Sequence, residues 1–258
     1  MAVRNFDGVA DAVTFLPGAL VGTDLGPGTV ALLCKRMSDA EYTSLLTMRD
    51  GATPTSANFF EDVKIGVTET ANLLNVKQPS GLDRNSTLTL AAADGWAIVV
   101  FTKPDGMALG TVHRYLFSTA TWTSAVLAEN SGDAGVLSTT RIAVGKDEFF
   151  NFGAMRLAVD ARWTAEMSTA QVQELTANLR TSDWQSNSVG SLALLHQWNQ
   201  GSVSEPVQDL TGGGANQDAI AGTSVVTDDD PPGWTFDGQA MSNTLTPRFD
   251  AVPGFGPF

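Results

Sequence analysis

The sequence predicts an all-β fold, a two-sheet antiparallel sandwich with one short amphipathic helix and an extended C-terminal arm. Three observations predict it. Met155, Leu157, Val159, Ala161 and Trp163 alternate with Arg156, Ala158, Asp160, Arg162 and Thr164, the period-two pattern of a strand with one buried face. Directly after it, Ser168 and Gln171 have the spacing of a capping box and Met167 and Val172 that of a hydrophobic staple, while Val172, Leu175 and Leu179 share one helical face. A helix over 168–179 is therefore expected, laid against one edge or end of the sandwich. Elsewhere the apolar runs are short, recur every ten to twenty residues or so, and are parted by Gly, Asp, Asn and Ser, the rhythm of an all-β sandwich and not of alternating strands and helices.

From the N-terminus, residues 1–15 alternate loosely, and Leu16-Pro17-Gly18 and Gly26-Pro27-Gly28 mark turns on either side of a connector. Residues 29–37 are a mostly apolar run of strand length, expected to be buried on both faces. Cys34 lies within it; as the single cysteine it permits no internal disulfide, and it reads as a small buried apolar residue and not as a reactive thiol. Strands follow over 42–48, 63–67, 87–91, 96–101 and 112–117. Lys103-Pro104-Asp105-Gly106 reads as a tight hairpin turn joining the last two, since Pro presets one turn dihedral and Gly tolerates a positive φ. Beyond the alternating strand and the helix, residues 192–198 form a final strand. Gly212-Gly213-Gly214 is a flexible corner; without a following Lys-Ser or Lys-Thr, and with Asp209 close by, it is not a phosphate loop.

The character changes at Asp228-Asp229-Asp230, which reads as a solvated linker, with a calcium site as the alternative because hard cations gather several oxygen ligands. The rest is aperiodic and rich in Pro and Gly, yet it carries Trp234, Phe236, Phe249, Phe255 and Phe258. Two units are therefore expected, a domain over 1–226 and an arm over 227–258. The arm either wraps its own domain or docks on a neighbour; its five aromatics are the expected interface residues, each able to bury about 150 Å² or more.

Composition excludes several classes. A chain of 258 residues with 43% hydrophobic and 17% charged residues is globular, and one core of this size buries about three quarters of the unfolded surface. No apolar run approaches the ~20 residues that span a bilayer, so no membrane partner is expected. The start lacks the apolar core of a signal peptide, which predicts folding in the cytoplasm of the producing cell. A net charge of −13, without clusters of Lys and Arg, argues against nucleic acid.

The sequence holds none of the familiar catalytic constellations. A glycosidase of the sandwich type places two carboxylates on one strand face, as in E-x-D-x-E; here the nearest candidate, Asp147-Glu148, puts its side chains on opposite faces. His113 and His196 lie in separate strands and read as ordinary strand histidines. No G-x-S-x-G elbow is present. Trp96, Trp163 and Trp198 fall in strands and read as core. Trp122 and Trp184 sit among polar, loop-like residues, where stacking on a sugar and capping of the sandwich are both open; they are the candidate ligand-binding residues.

Four separated motifs resemble the laminin-G-like branch of the concanavalin A-like jelly rolls. Phe6-Asp7-Gly8-Val9-Ala10-Asp11-Ala12-Val13 is similar to the family's first strand, and Ile142-Ala143-Val144-Gly145 with Phe152-Gly153 to its "I-x-x-G … F-x-G". Met167 to Leu175 is similar to "L-S-x-x-[EQ]-[IV]-x-x-L", and Leu194 to Asn199 with Val207-Gln208-Asp209-Leu210-Thr211-Gly212 to its closing segment. The resemblance spans residues 1–226 and implies a jelly-roll sandwich. The ending Gly213-Gly214-Ala215-Asn216-Gln217, Ala221-Gly222-Thr223-Ser224-Val225 and Asp230-Pro231-Pro232-Gly233-Trp234-Thr235-Phe236 resembles members encoded by tailed phages of actinobacteria. That resemblance implies a non-enzymatic virion protein needing no cofactor, made in the host cytoplasm. A minor tail protein is the first reading; a head decoration protein of the same fold and a free carbohydrate-binding module are the alternatives. The implied partners are other virion proteins, further copies of the chain and cell-surface glycans.

Overall fold

The computed structural model describes residues 2–15, 28–40, 42–49, 63–77, 84–104, 110–127, 141–145, 153–176, 184, 188–198, 202, 204–212 and 217–227. Among them are fifteen strands: β1 (Ala2–Asp7), β2 (Ala12–Phe15), β3 (Gly28–Arg36), β4 (Thr43–Arg49), β5 (Val63–Val67), β6 (Leu73–Lys77), β7 (Arg84–Thr89), β8 (Trp96–Lys103), β9 (Thr111–Leu116), β10 (Thr121–Val126), β11 (Arg141–Val144), β12 (Ala154–Trp163), β13 (Leu192–Gln197), β14 (Gln217–Ala221) and β15 (Ser224–Thr227). The helix α1 (Thr169–Glu174) follows β12. The larger sheet runs β10-β9-β8-β3-β12-β1-β15, and the smaller β14-β2-β11-β4-β5-β6-β7. Neighbours are antiparallel throughout, so the fold is a two-sheet jelly roll.

One core lies between the sheets. Val30, Leu32, Cys34, Val99, Phe101, Met155 and Leu157 of the larger sheet meet Val13, Phe15, Leu46, Ile65, Val67, Val76 and Val144 of the smaller. A second core lies on the outer face of the larger sheet, where Ala31, Leu33, Ile98, Val100, Val159, Ala161 and Trp163 are covered by Met167, Val172, Leu175 and Trp184. Strand β3 is thus buried on both faces, as its unbroken apolar run requires. Helix α1 covers that outer face and does not sit at an edge. Burying Val172 and Leu175 there contributes about 1.5 to 3 kcal/mol each.

Strand β12 departs from simple alternation. Against β3, Leu157 faces Cys34 and Val159 faces Leu33, so Ala158 is an extra, bulged residue. The bulge inverts the side-chain parity: Met155 and Leu157 point between the sheets, while Val159, Ala161 and Trp163 point into the outer core. The apolar stripe expected on one face is split between two. The bulge also marks where β1, paired with residues 154–157, gives way to β13, paired with residues 159–163 on the same side of β12. The Ala158 carbonyl at that junction accepts from the Trp198 N–H at 2.9 Å.

The helix begins as expected. Ser168 Oγ accepts from Gln171 N–H at 3.4 Å and Gln171 Oε1 accepts from Ser168 N–H at 2.9 Å. It is shorter than expected, because Leu175 N–H turns to the Val172 carbonyl at 3.1 Å, a tighter i→i−3 closure. Residues 177–179, like Asp228 to Asp230 and the arm aromatics Trp234, Phe236, Phe249, Phe255 and Phe258, lie outside the described residues. Strands β8 and β9 are hairpin partners whose last pair is Thr102 and Thr111; Asp105 and Gly106 of the expected turn lie outside the described residues. The motif glycines have steric causes. A Cβ on Gly145, whose φ is +86°, would strike the Phe6 ring and lie 2.8 Å from the Asp11 carbonyl oxygen, and one on Gly153 would lie 2.5 Å from the Ser44 carbonyl oxygen.

Candidate functional site

Polar chemistry concentrates in two places, one sealed and one open. In the sealed place Asp160, on the inward face of β12 after the bulge, is 1% exposed and accepts from the Trp198 indole N–H at 2.6 Å. His196 Nδ1 lies 3.0 Å from Asp160 Oδ2, and with the carboxylate oxygen accepting, Nδ1–H is the donor. Phe15 stacks on the His196 ring at 4.1 Å and meets Trp198 edge-on. One residue along, Asp209 Oδ1 accepts from Leu195 N–H, Thr211 N–H and Thr211 Oγ–H at 3.2, 3.0 and 2.8 Å, stitching the closing loop to β13. An Asp–His pair is the start of many catalytic triads. This one is closed off between two sheets, where no substrate reaches it, and it serves cohesion.

The open place is the outer face of the larger sheet at its β10 edge. On β9, His113 and Tyr115 face outward, and on β10 the directly opposed residues are Ser124 and Trp122. Trp122 is half-buried, its ring centroid 5.3 Å from that of Tyr115, and its indole N–H donates to Thr176 Oγ at 3.1 Å just past α1. Phe117 closes the row edge-on to Tyr115 at 5.0 Å. His113 lies beneath exposed Ser124, its Nδ1 2.7 Å from Ser124 Oγ and its Nε2 3.3 Å from Thr102 Oγ. Burial pushes the His113 imidazole down to about 4, so it is neutral at physiological pH. The result is an aromatic pair flanked by hydroxyls and a neutral imidazole, without a charged group in the row.

The two tryptophans proposed from sequence lie in different surroundings. Trp122 lies on a strand and not in a loop, and remains partly open to solvent. Trp184 is fully buried against Trp163, with ring centroids 6.2 Å apart, so its faces are taken by the core and it cannot stack on a sugar. Trp96, Trp163 and Trp198 are core residues, as are both histidines. Tyr115, Ser124 and Thr176 were not singled out from sequence; the signal was the outward row His113, Tyr115, Phe117 at i, i+2, i+4.

Other buried polar groups are structural. Arg36 reaches from β3 across to the smaller sheet, donating to Thr43 Oγ at 3.0 Å, Asn72 Oδ1 at 2.6 Å and the Leu90 carbonyl at 3.0 Å, with Asp39 at 3.2 Å. Burial lowers its pKa and Asp39 opposes that. Cys34 is pushed up to about 12 by burial, which leaves no nucleophilic thiolate. Among the described residues no group of three or more His, Cys, Asp or Glu is placed to hold a metal ion.

No family model matches the sequence, and no curated protein matches it. Among solved structures, the chain is similar to the CBM40 of the Ruminococcus gnavus IT-sialidase bound to alpha2,3 sialyllactose, with a TM-score of 0.44 and 10% identity over 66% of this chain and 95% of that one. Mouse laminin alpha1 domains LG4-5 match at a TM-score of 0.41 and 14% identity, over 63% of this chain and 40% of that one. Tailspike protein 2 of the Escherichia coli O157:H7 bacteriophage CAB120 matches at 0.41 and 11%, over 68% of this chain and 27% of that one. The chain thus spans less than half of the laminin and tailspike chains.

Proposed function

We propose that this chain is a non-enzymatic structural protein of a tailed-phage virion, a minor tail protein whose lectin-like jelly roll meets host-surface glycans. The observation that carries the glycan reading is the outward Trp122–Tyr115 pair, held by the Thr176 hydrogen bond and flanked by Ser124. Sugars bind through C–H faces laid on aromatic rings and hydroxyls bonded at the rim. A neutral row favours neutral sugar units. The virion reading is supported by the resemblance of the ending segments 213–217, 221–225 and 230–236 to phage-encoded members and by the aromatic arm over 227–258. A non-catalytic role is supported by the sealed Asp160–His196 pair and by the lack of an E-x-D-x-E spacing in the sequence.

The test has two arms. Immunolabelling of particles produced from the encoding genome should mark the tail; label on the head would favour the decoration protein, and particles without label would favour a free carbohydrate-binding module. Titration with neutral host-wall oligosaccharides, followed by tryptophan fluorescence, should show saturable binding that weakens at least about tenfold in Trp122→Ala, as loss of a stacked ring implies. Binding unaffected by that substitution would remove the glycan site from this face.

A further inference from the structure

Strand β10 ends the larger sheet, and its backbone bonding can be worked out residue by residue. Leu127 N–H donates to the Gly110 carbonyl at 3.0 Å, and Phe117 N–H to the Trp96 carbonyl at 3.3 Å. In an antiparallel ladder bonded pairs alternate with non-bonded ones. The register therefore turns the amide groups of Thr121, Thr123 and Ala125 toward β9 and those of Trp122, Ser124 and Val126 toward the open edge. Among the described residues no strand is hydrogen-bonded to that side.

Exposed edges in proteins are commonly blunted by charge, proline, a bulge or brevity. This one has none of them. It runs six residues in unbroken register with β9. No charged residue occurs between Arg114 and Glu129, in a chain of net charge −13. Val126, at its end, is 58% exposed. The other edges are less regular: β15 has four residues, and the pairings of β14 with β2 and of β6 with β7 shift register.

We propose that β10 is a self-complementary edge through which two copies of this chain pair antiparallel about a two-fold axis at Ser124. The outward residues are spaced symmetrically about Ser124, so one register satisfies them all. Ser124 meets Ser124 of the second copy, and Trp122 meets Val126 of the second copy in both directions. Three bonded pairs give six backbone hydrogen bonds, and each Trp122 side chain gains an apolar cross-strand neighbour in the valine otherwise left in water. A second copy fits because the seam is uncharged, so two acidic molecules meet where neither carries charge. The two larger sheets become continuous, with both Trp122–Tyr115 rows on one outer face. This pairing goes beyond the glycan reading and does not need it.

The experiment is sedimentation equilibrium of the full chain from about 1 to 200 µM, a range suited to a small edge interface. The mass should rise to twice the 27.2 kDa of one chain. Val126→Pro removes an outward N–H without touching the ladder to β9, and should raise the concentration of half-association about tenfold or more. Ser124→Cys should give a disulfide-linked dimer on mild oxidation, because residue 124 alone meets itself on the axis; Thr121→Cys, three residues off the axis, should not. A mass of one chain throughout the range overturns the proposal. So does a dimer insensitive to Val126→Pro with no cross-link in S124C, which would place association on the arm. If Val126→Pro loses its far-UV circular dichroism, the contrast between S124C and T121C decides alone.

Discussion

Replacing Asp160 by Ala should be among the most damaging single changes in the chain. The carboxylate is 1% exposed and accepts from two buried donors, the Trp198 indole N–H at 2.6 Å and His196 Nδ1–H at 3.0 Å. An alanine leaves both without an acceptor in a place water does not reach, at about 1 to 3 kcal/mol for each stranded group. Stranding both donors therefore costs roughly 2 to 6 kcal/mol together. That is a large share of the 5 to 15 kcal/mol that holds an ordinary domain together. Asp160→Asn retains one acceptor oxygen but turns an NH₂ toward the other donor, so it should cost about half as much. Trp198→Phe removes a donor while the carboxylate keeps His196, and should cost about 1 to 3 kcal/mol, part of it from lost volume. Urea unfolding followed by far-UV circular dichroism, at constant m-value, measures all three. A loss below about 1 kcal/mol in Asp160→Ala would refute the reasoning, because it would mean the indole and imidazole find other acceptors and the network is incidental.

Four further outcomes are expected. Ser168→Ala should cost about 0.5 to 2 kcal/mol through the lost cap of α1, read from the unfolding midpoint. Gly145→Ala should cost about 2 kcal/mol or more, since it combines a φ of +86° with a clash against Phe6 and the Asp11 carbonyl, and should show as lower soluble yield and melting temperature. His113 has a folded value of about 4 against 6.5, so its neutral form contributes stability in full above pH 6.5 and loses it as pH falls toward 4; the effect is on the order of 3 kcal/mol, and His113→Gln should flatten the profile in that window. Burial and Asp7 raise the Asp11 carboxyl, so Asp11→Asn should stabilise the fold near neutral pH, provided the amide oxygen still accepts from Asp7 N–H; a lower melting temperature would show that this acceptance is lost.

Much of the fold was legible because inward packing imposes a period on the chain. The doubly buried β3, the strand β12 and the capped start of α1 all announce themselves through residues that touch the core. The same rule explains the error in β12. A bulge inserts one residue without disturbing apolar composition, so Met155 to Trp163 reads as one face although Ala158 divides it between two cores. Strands β6, β14 and β15 are four or five residues long, too short to establish a period. The motif positions prove to be fold devices: Gly145 and Gly153 make room for Phe6 and Ser44, and Asp209 ties a loop to β13.

The open site was harder to read for a related reason. Periodicity records burial, and β10 is buried lightly on both faces, so Thr121 to Val126 looks like a loop and its tryptophan like a loop residue. Trp184 shows the converse: it stands among Ser, Asp, Gln and Asn in sequence, yet packs wholly against Trp163. Exposure at a given position is decided by elements distant in the chain, here by whether the outer face lies under α1 or beyond it. The larger sheet has one outer surface with two fates. Where β3, β8 and β12 run beneath α1 and Trp184 it is apolar and closed; on β9 and β10 the surface continues as rings, hydroxyls and a buried neutral imidazole. The proposed recognition row therefore lies beside the covered core, on a strand whose far edge pairs with no other strand among the described residues. The two proposals for that strand, sugar binding and pairing with a second copy, draw on different groups, side chains for the first and backbone amides for the second.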